Sequence, residues 1–245
     1  QEMVESYELA TGGFPNWTAW HGTTTENPPY DKLEPRFHAT ILYNGAEWKK
    51  RKIEPYVDGI DGWCQWNIDR EPMGRTTTGY YLRKMVDENH DVIAYSGGVQ
   101  PLMIMRYAEV LLNKAEACYH LDQTGDANAA VKAVRERVGL PYTDKGGSAL
   151  WDAIRQERKV ELAFEGLWYW DLRRWGVAHE QYPAGLSGYQ QHGLKIVDNG
   201  DETFTYSYVS VDDQDRNFPE KMYRFPMPTS ELNNNSLVEQ YLEWK

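Results

Sequence analysis

The chain has 245 residues, 41% of them hydrophobic, with a formal net charge of −11. That length buries a substantial core in one large domain or two small ones, and the acidic balance argues against nucleic acid or anionic lipid as a main partner, since both need clustered Lys and Arg. The two cysteines, Cys64 and Cys118, are too few and too far apart for a disulfide framework or a metal- or redox-type motif, and no apolar run reaches the roughly 18–20 residues of a membrane helix.

The first segment, "QEMVESYELATGG", reads as a short amphipathic helix already under way and stopped by Gly12 and Gly13. The chain is therefore read as a processed product or fragment, with any targeting or lipid-attachment signal upstream. Residues 12 to 80 are rich in Pro and Gly. The run "FHATILY" (Phe37 to Tyr43), closed by Asn44-Gly45, predicts a strand. An irregular stretch this long in a compact chain points to function on loops held by a scaffold.

The scaffold follows. "PLMIMRYAEVLLNKAEACYHLDQTG" places Ile104, Ala108, Leu111, Leu112, Ala115 and Tyr119 at helical spacing, with Gly125 as its end. Asp126 can cap a second helix, "ANAAVKAVRERVGL", which stops at Gly139 and Pro141. Ala117, Ala129 and Pro141 fall at twelve-residue steps, as in one tetratricopeptide-type hairpin, although any helical hairpin fits as well. A third helix is predicted from about Leu150 to Trp175. Beyond it "LKIVDNGDETFTYSYVSV" reads as a β-hairpin around Asn199-Gly200, and "YRFPMPTSELNNN" as an extended run with a capped turn.

The third helix contains "ERKVELAFEGLWYWDLRRW", with eight charged residues and five aromatic rings in nineteen positions. Glu157, Glu161 and Glu165 share one face at i, i+4 and i+8, and stay ionised only if cations answer them. Arg158 is the local candidate and Arg106, opening the first helix, the distant one. Two such carboxylates could also serve a glycosidase. However, the surrounding Arg and Lys residues would lower their pKa values, the wrong direction for a general acid. The structural reading is preferred.

Together, "QEMVESYE", "PRFHATILYNGAEW", "GYYLRKMV", "MRYAEVLLNKAEACY", "VRERVGLP", "ERKVELAFEG", "DLRRWG" and "RFPMPTSELNNN" resemble, in order, the C-terminal half of SusD/RagB-like proteins. The resemblance implies a mainly α fold: a tetratricopeptide-type helical hairpin scaffold with long loops and a small β-hairpin. All of 1–245 is then the C-terminal part of one such domain. It comprises a loop-rich ligand-side region over 1–101, the helical hairpin over 102–141, the buried charged helix over 150–175, and a hairpin with C-terminal segment over 176–245.

The resemblance further implies a non-enzymatic, lipid-anchored protein on the outer face of the outer membrane. Such a protein captures oligo- or polysaccharide for a SusC-like TonB-dependent transporter, and the N-terminal half of the same protein is a further partner. A peptide-binding member of the family is the alternative, and a glycoside hydrolase a weaker one. No cofactor is expected. Where relatives carry Arg after "EG", this chain has Trp168, so one of Glu161, Glu165 or Asp171 must find another partner.

Ligand residues do not follow from the motifs, which are scaffold. Sugars present C–H faces that stack on rings, and hydroxyls that take amide, carboxylate or Arg partners. On that ground "FPNWTAWHGTTTENPPY" offers Trp17, Trp20, His21 and Tyr30, and "DGIDGWCQWNIDREP" offers Trp63, Trp66, Asn67 and Arg70, with Asp69 beside them. Asp213, Asp215 and Asn217 alternate like the start of a calcium loop, but Phe218 stands where the Gly belongs. No metal site is expected there.

Overall fold

Pro35 opens a helix where a strand is predicted. In the computed structural model, which describes residues 1–65, 75–91, 103–183, 191–212, 214 and 216–245, α1 spans Pro35–Thr40. Only then does the chain extend into a two-residue strand. Proline at the first helical position loses no hydrogen bond, and Arg36, Phe37 and Thr40 are buried by the turn, so tertiary burial overrides the strand-like composition. The expected N-terminal helix is likewise reduced to a single 3-10 turn at Val4–Ser6, and Leu9 then bridges to Leu33.

The described residues form two compact units. The first comprises Gln1–Glu165 with Gln191–Asp213, and the second Gly166–Gln190 with Gln214–Lys245. In the first unit the short strands are β1 (Thr23–Thr24), β2 (Ile41–Leu42), β3 (Glu47–Trp48), β4 (Arg51–Lys52) and β5 (Tyr81–Leu82). β2 pairs antiparallel with β5, and β3 with β4. Lys49 and Lys50, between β3 and β4, both have positive φ (48° and 67°), the backbone of a tight hairpin turn.

The helical hairpin forms from α2 (Tyr107–His120) and α3 (Thr124–Arg137). Ile104 lies outside α2 and is exposed, and Gly125 and Asp126 fall inside the first turn of α3 rather than ending one helix and capping the next. The turn comes earlier because Asp122 adopts a left-handed backbone (φ 58°). Ala115, Ala127, Ala130 and Val131 pack with Leu150 and Ile154 of α4 (Gly147–Glu161). Ala117 and Ala129, the residues of the twelve-residue spacing, face solvent.

The predicted third helix is interrupted. α4 stops at Glu161, and Phe164 and Gly166 take positive φ (63° and 80°) before α5 (Trp168–Arg174) begins the second unit. The Gly of the "EG" motif thus lies in the turn between α4 and α5, where its left-handed backbone redirects the chain.

The β-hairpin of the first unit is β6 (His192–Asp198) and β7 (Phe204–Ser210), with β1 added to β7. Asp198 pairs with Phe204, so the loop has five residues rather than a two-residue turn. The hairpin's buried face, Leu194, Ile196 and Tyr206, joins Tyr7, Phe37 and Val160 in the main core. Gly193 and Gly79 allow the 78–79 backbone to lie against β6: a Cβ on Gly193 would stand 2.5 Å from the Cα of Thr78.

In the second unit, α6 (Ala178–Gln181) and α7 (Thr229–Asn234) accompany α5. Leu172, Ala178 and Phe218 form its core, with Trp168 packed against them. The Arg173 guanidinium donates to the carbonyls of Met222 (2.5 Å) and Tyr223 (2.9 Å), and lies over the Phe225 ring at 4.5 Å.

Candidate functional site

The acids of α4 are shut inside the first unit: Glu157 is 1% and Glu161 3% exposed. Arg36 donates to Glu34 (2.5 Å), Glu157 and Glu161 (3.0 Å). Arg135 joins Glu8 (2.7 and 2.9 Å) to Glu157 (3.0 Å). Arg106 reaches Glu161 (2.5 Å) and Glu165, as expected, while Lys84 also takes Glu165 (2.6 Å) and Arg137 closes on Glu161 (2.7 Å). Arg158, the expected local partner, instead donates to Asn113 (2.6 Å). Five carboxylates thus meet five cations, drawn from α1, the N-cap of α2, α3 and Lys84 in the turn after β5.

Burial alone would raise the carboxyl pKa of Glu161, but the hydrogen bonds and charges of Arg106, Arg137 and Arg36 outweigh it and hold the group below its ordinary range. Glu165 behaves likewise between Arg106 and Lys84. For Glu34 burial prevails over Arg36 and the pKa rises. A general acid on the central helix would need the opposite shift, so the network's chemistry is that of a neutralised core. The position held by Trp168 is resolved in two places: Glu165 is served by Lys84 and Arg106, and Asp171 by Arg174 (2.9 Å).

The rings expected on a ligand surface are distributed differently. Trp17 (6% exposed) and Trp20 (9%) pack edge to face at 5.6 Å within the main core, which corrects the expectation that both rings are displayed. The polar neighbours line the outer side of the turn while the indoles fill space beneath it. Trp20 Nε1 donates to the Glu26 carbonyl (2.9 Å); Trp17 Nε1 has no partner among the described residues. His21 is exposed, bonded to Glu5 (2.7 Å) and tilted on Tyr208 at 4.9 Å. Trp63 is half-buried under the Lys195 ammonium, 4.9 Å from its ring. Trp66, Asn67, Asp69 and Arg70 lie outside the described residues, as do Asp213 and Asp215.

Tyr30 is buried too, but it forms the floor of a depression of about 910 Å³ within the first unit. Tyr30 lies tilted against Tyr43, ring centroids 4.5 Å apart, and hydrogen-bonds the Tyr80 hydroxyl (2.8 Å). Tyr56, Phe204 and Tyr206 also line the depression, with the ring centroids of Tyr56 and Phe204 5.5 Å apart. Tyr43, Tyr56 and Phe204 are half-buried and so keep part of their rings available. Asn27 and Asn44 add amide groups, and the Tyr206 hydroxyl meets Asn27 Oδ1 at 3.1 Å.

Ring surfaces beside amides and carboxylates can hold the apolar face and the hydroxyl edge of one polar ligand at once. Of the expected residues that the structure describes, only Tyr30 lines this depression. A sequence signal for the others exists in "FTYSYVS", where Phe204 and Tyr206 alternate onto one face of β7. Among the described residues no group of three or more His, Cys, Asp or Glu is placed to hold a metal ion, and no helix is long and apolar enough to cross a membrane.

Comparison with known proteins agrees with this architecture. SusD-like protein P38 of Formosa agariphila is 37% identical over 89 residues, 32% of this chain and 18% of the relative. A SusD-like protein from Bacteroides fragilis superposes with a TM-score of 0.78 at 27% identity, over 98% of this chain and 46% of that one. A second B. fragilis structure, described as a SusD-like carbohydrate-binding protein, gives 0.69 at 27% identity, over 97% and 47%. The chain spans less than half the length of these solved relatives. The SusD family model matches residues 1–244, and the chain belongs to that family.

Proposed function

We propose that this chain is part of a cell-surface glycan-binding protein, non-catalytic and lipid-anchored at the outer membrane, which captures oligo- or polysaccharide for a TonB-dependent transporter. One observation carries the binding reading: a ring-lined, amide- and carboxylate-bearing depression in a chain of this family. Its size is that of a site for a small ligand or a few sugar units. Membership beside a solved relative described as carbohydrate-binding supports the glycan over other ligands. The closed ion network supports binding without chemistry, because the acids that could have served hydrolysis are held by cations.

Tyr43, Tyr56 and Phe204 are the primary contact surface in this reading. His21 and the loop carrying Trp63, Trp66, Asn67 and Arg70 are further contacts. Affinity electrophoresis of the purified protein through gels containing a panel of polysaccharides tests it. Retention by at least one polysaccharide is expected, and its loss in Tyr56→Ala and Phe204→Ala with an unchanged circular dichroism spectrum. Binding of peptides with no polysaccharide retained would replace this reading by a peptide-capturing one.

A further inference from the structure

The depression has an electrostatic character that the glycan reading does not require, and the inference drawn from it rests on that reading. Where this chain buries carboxylates it answers them with cations, as Glu157 and Glu161 show with Arg36, Arg135, Arg106 and Arg137. Around the depression the balance is abandoned. Among the described residues, Asp31, Glu54, Asp198 and Glu202 line it against one cation, Lys52. Arg51, next to Lys52 on β4, is committed elsewhere by a paired hydrogen bond to Asp61 (2.5 and 2.6 Å).

The same depression is lined by the half-buried rings of Tyr43, Tyr56 and Phe204. Aromatic faces attract cations, and a concave surface lined by one sign of charge focuses its field. Both effects favour an ammonium and oppose a carboxylate or sulfate in the same space. We propose that the depression ranks saccharides by charge: amine-bearing above neutral, and neutral above uronate- or sulfate-bearing.

The lining acids are solvated, with Asp31, Asp198 and Glu202 exposed and Glu54 half-buried. The ranking is therefore sensitive to salt, since exposed charges are screened beyond about 8 Å at physiological ionic strength. Calorimetric titration of the purified protein with three short oligomers tests it: glucosamine, N-acetylglucosamine, and N-acetylglucosamine oxidised to a carboxylate at C6. At low salt the glucosamine oligomer is expected to bind roughly tenfold more tightly than the carboxylated one, with the acetylated oligomer between. High salt compresses the order. In the Glu54→Gln/Asp198→Asn double variant the ratio of glucosamine-oligomer to carboxylated-oligomer affinity is expected to fall toward one.

Equal affinities, tightest binding of the carboxylated oligomer, or an order unchanged in the double variant overturn the ranking and leave the glycan reading standing. Failure of all three oligomers beside a polysaccharide retained in the gel panel also overturns it. Failure of every saccharide in both experiments removes the ranking and the glycan reading together.

Discussion

Arg106 grips Glu165 with Nε at 2.8 and 3.0 Å and Nη2 at 2.7 Å, across 59 residues of chain. The same guanidinium reaches the Glu161 carboxylate (2.5 Å) and its carbonyl, so one side chain at the N-terminal end of α2 fastens the C-terminal end of α4. Removing it leaves Glu161 buried with part of its counter-charge gone. Arg106→Ala is expected to cost about 3 kcal/mol, the lower end for breaking a buried pair, since the arginine itself is partly solvated. Urea unfolding with an unchanged m-value reads this, and Glu161→Gln should destabilise comparably.

Arg137 makes two bonds to the same Glu161 carboxylate, at 2.7 and 2.9 Å, yet its side chain is 56% exposed. Solvent already screens much of that attraction, and ordering a long exposed side chain offsets more. Arg137→Ala is expected to cost under about 1 kcal/mol in the same unfolding experiment. A loss as large as that of Arg106 would mean that the network depends on the count of bonds rather than on burial.

The network also sets an acid limit. The carboxyl pKa values of Glu161 and Glu165 are lower in the fold than in the open chain, so the stability they supply is complete above the ordinary glutamate value of about 4.3 and is lost as pH falls through their depressed values. Glu34 has the opposite sign: its raised pKa means that protonation on the way down relieves part of a burial penalty. Glu34 therefore offsets any loss down to about pH 4.3, and below that value the net expectation is a steady loss of stability. Chemical denaturation midpoints measured across this range check it, and Arg106→Ala should flatten the steep part.

Glycines separate into two kinds. A Cβ at Gly193 would meet the Cα, carbonyl carbon and oxygen of Thr78 at 2.5 to 2.8 Å, all backbone atoms that cannot swing aside. Gly193→Ala is expected to destabilise by about 2 kcal/mol or more by forcing apart β6 and the 78–79 segment. Gly125, in the first turn of α3, has open space around it and an ordinary φ. Gly125→Ala is expected to stabilise by about 0.5 kcal/mol, because alanine restricts the unfolded chain and favours helix. Thermal unfolding of the two variants should shift in opposite directions.

How legible these features were depends on where their causes lie in the chain. The α2–α3 hairpin has a local cause, apolar residues at helical spacing, and it formed with shifted ends. The need for cations around Glu157, Glu161 and Glu165 was legible because three like charges on a buried face demand it, and Arg106 was identifiable from its helix. Arg36 and Arg135 were not, because their roles depend on α1 and α3 folding onto α4 from up to 125 residues away. The same limit explains the depression. Tyr43, Tyr56 and Phe204 come from segments that only the hairpin's packing brings together.

Trp17 and Trp20 show that limit most sharply, and they can be told apart by experiment. Both indoles are buried in one edge-to-face pair, but Trp20 Nε1 donates to Glu26 while Trp17 Nε1 is unpartnered among the described residues. A buried donor without an acceptor costs about 1–3 kcal/mol. Trp17→Phe removes that cost as it removes volume, and the two effects oppose each other. Trp20→Phe loses volume and a satisfied hydrogen bond together, and leaves the Glu26 carbonyl without its partner. Trp20→Phe is therefore expected to lower the unfolding free energy by about 1 kcal/mol more than Trp17→Phe. Neither should alter polysaccharide retention while folded, whereas Tyr56→Ala and Phe204→Ala should. Loss of retention in a fully folded Trp17→Phe variant would return that ring to the ligand surface and move recognition away from the depression.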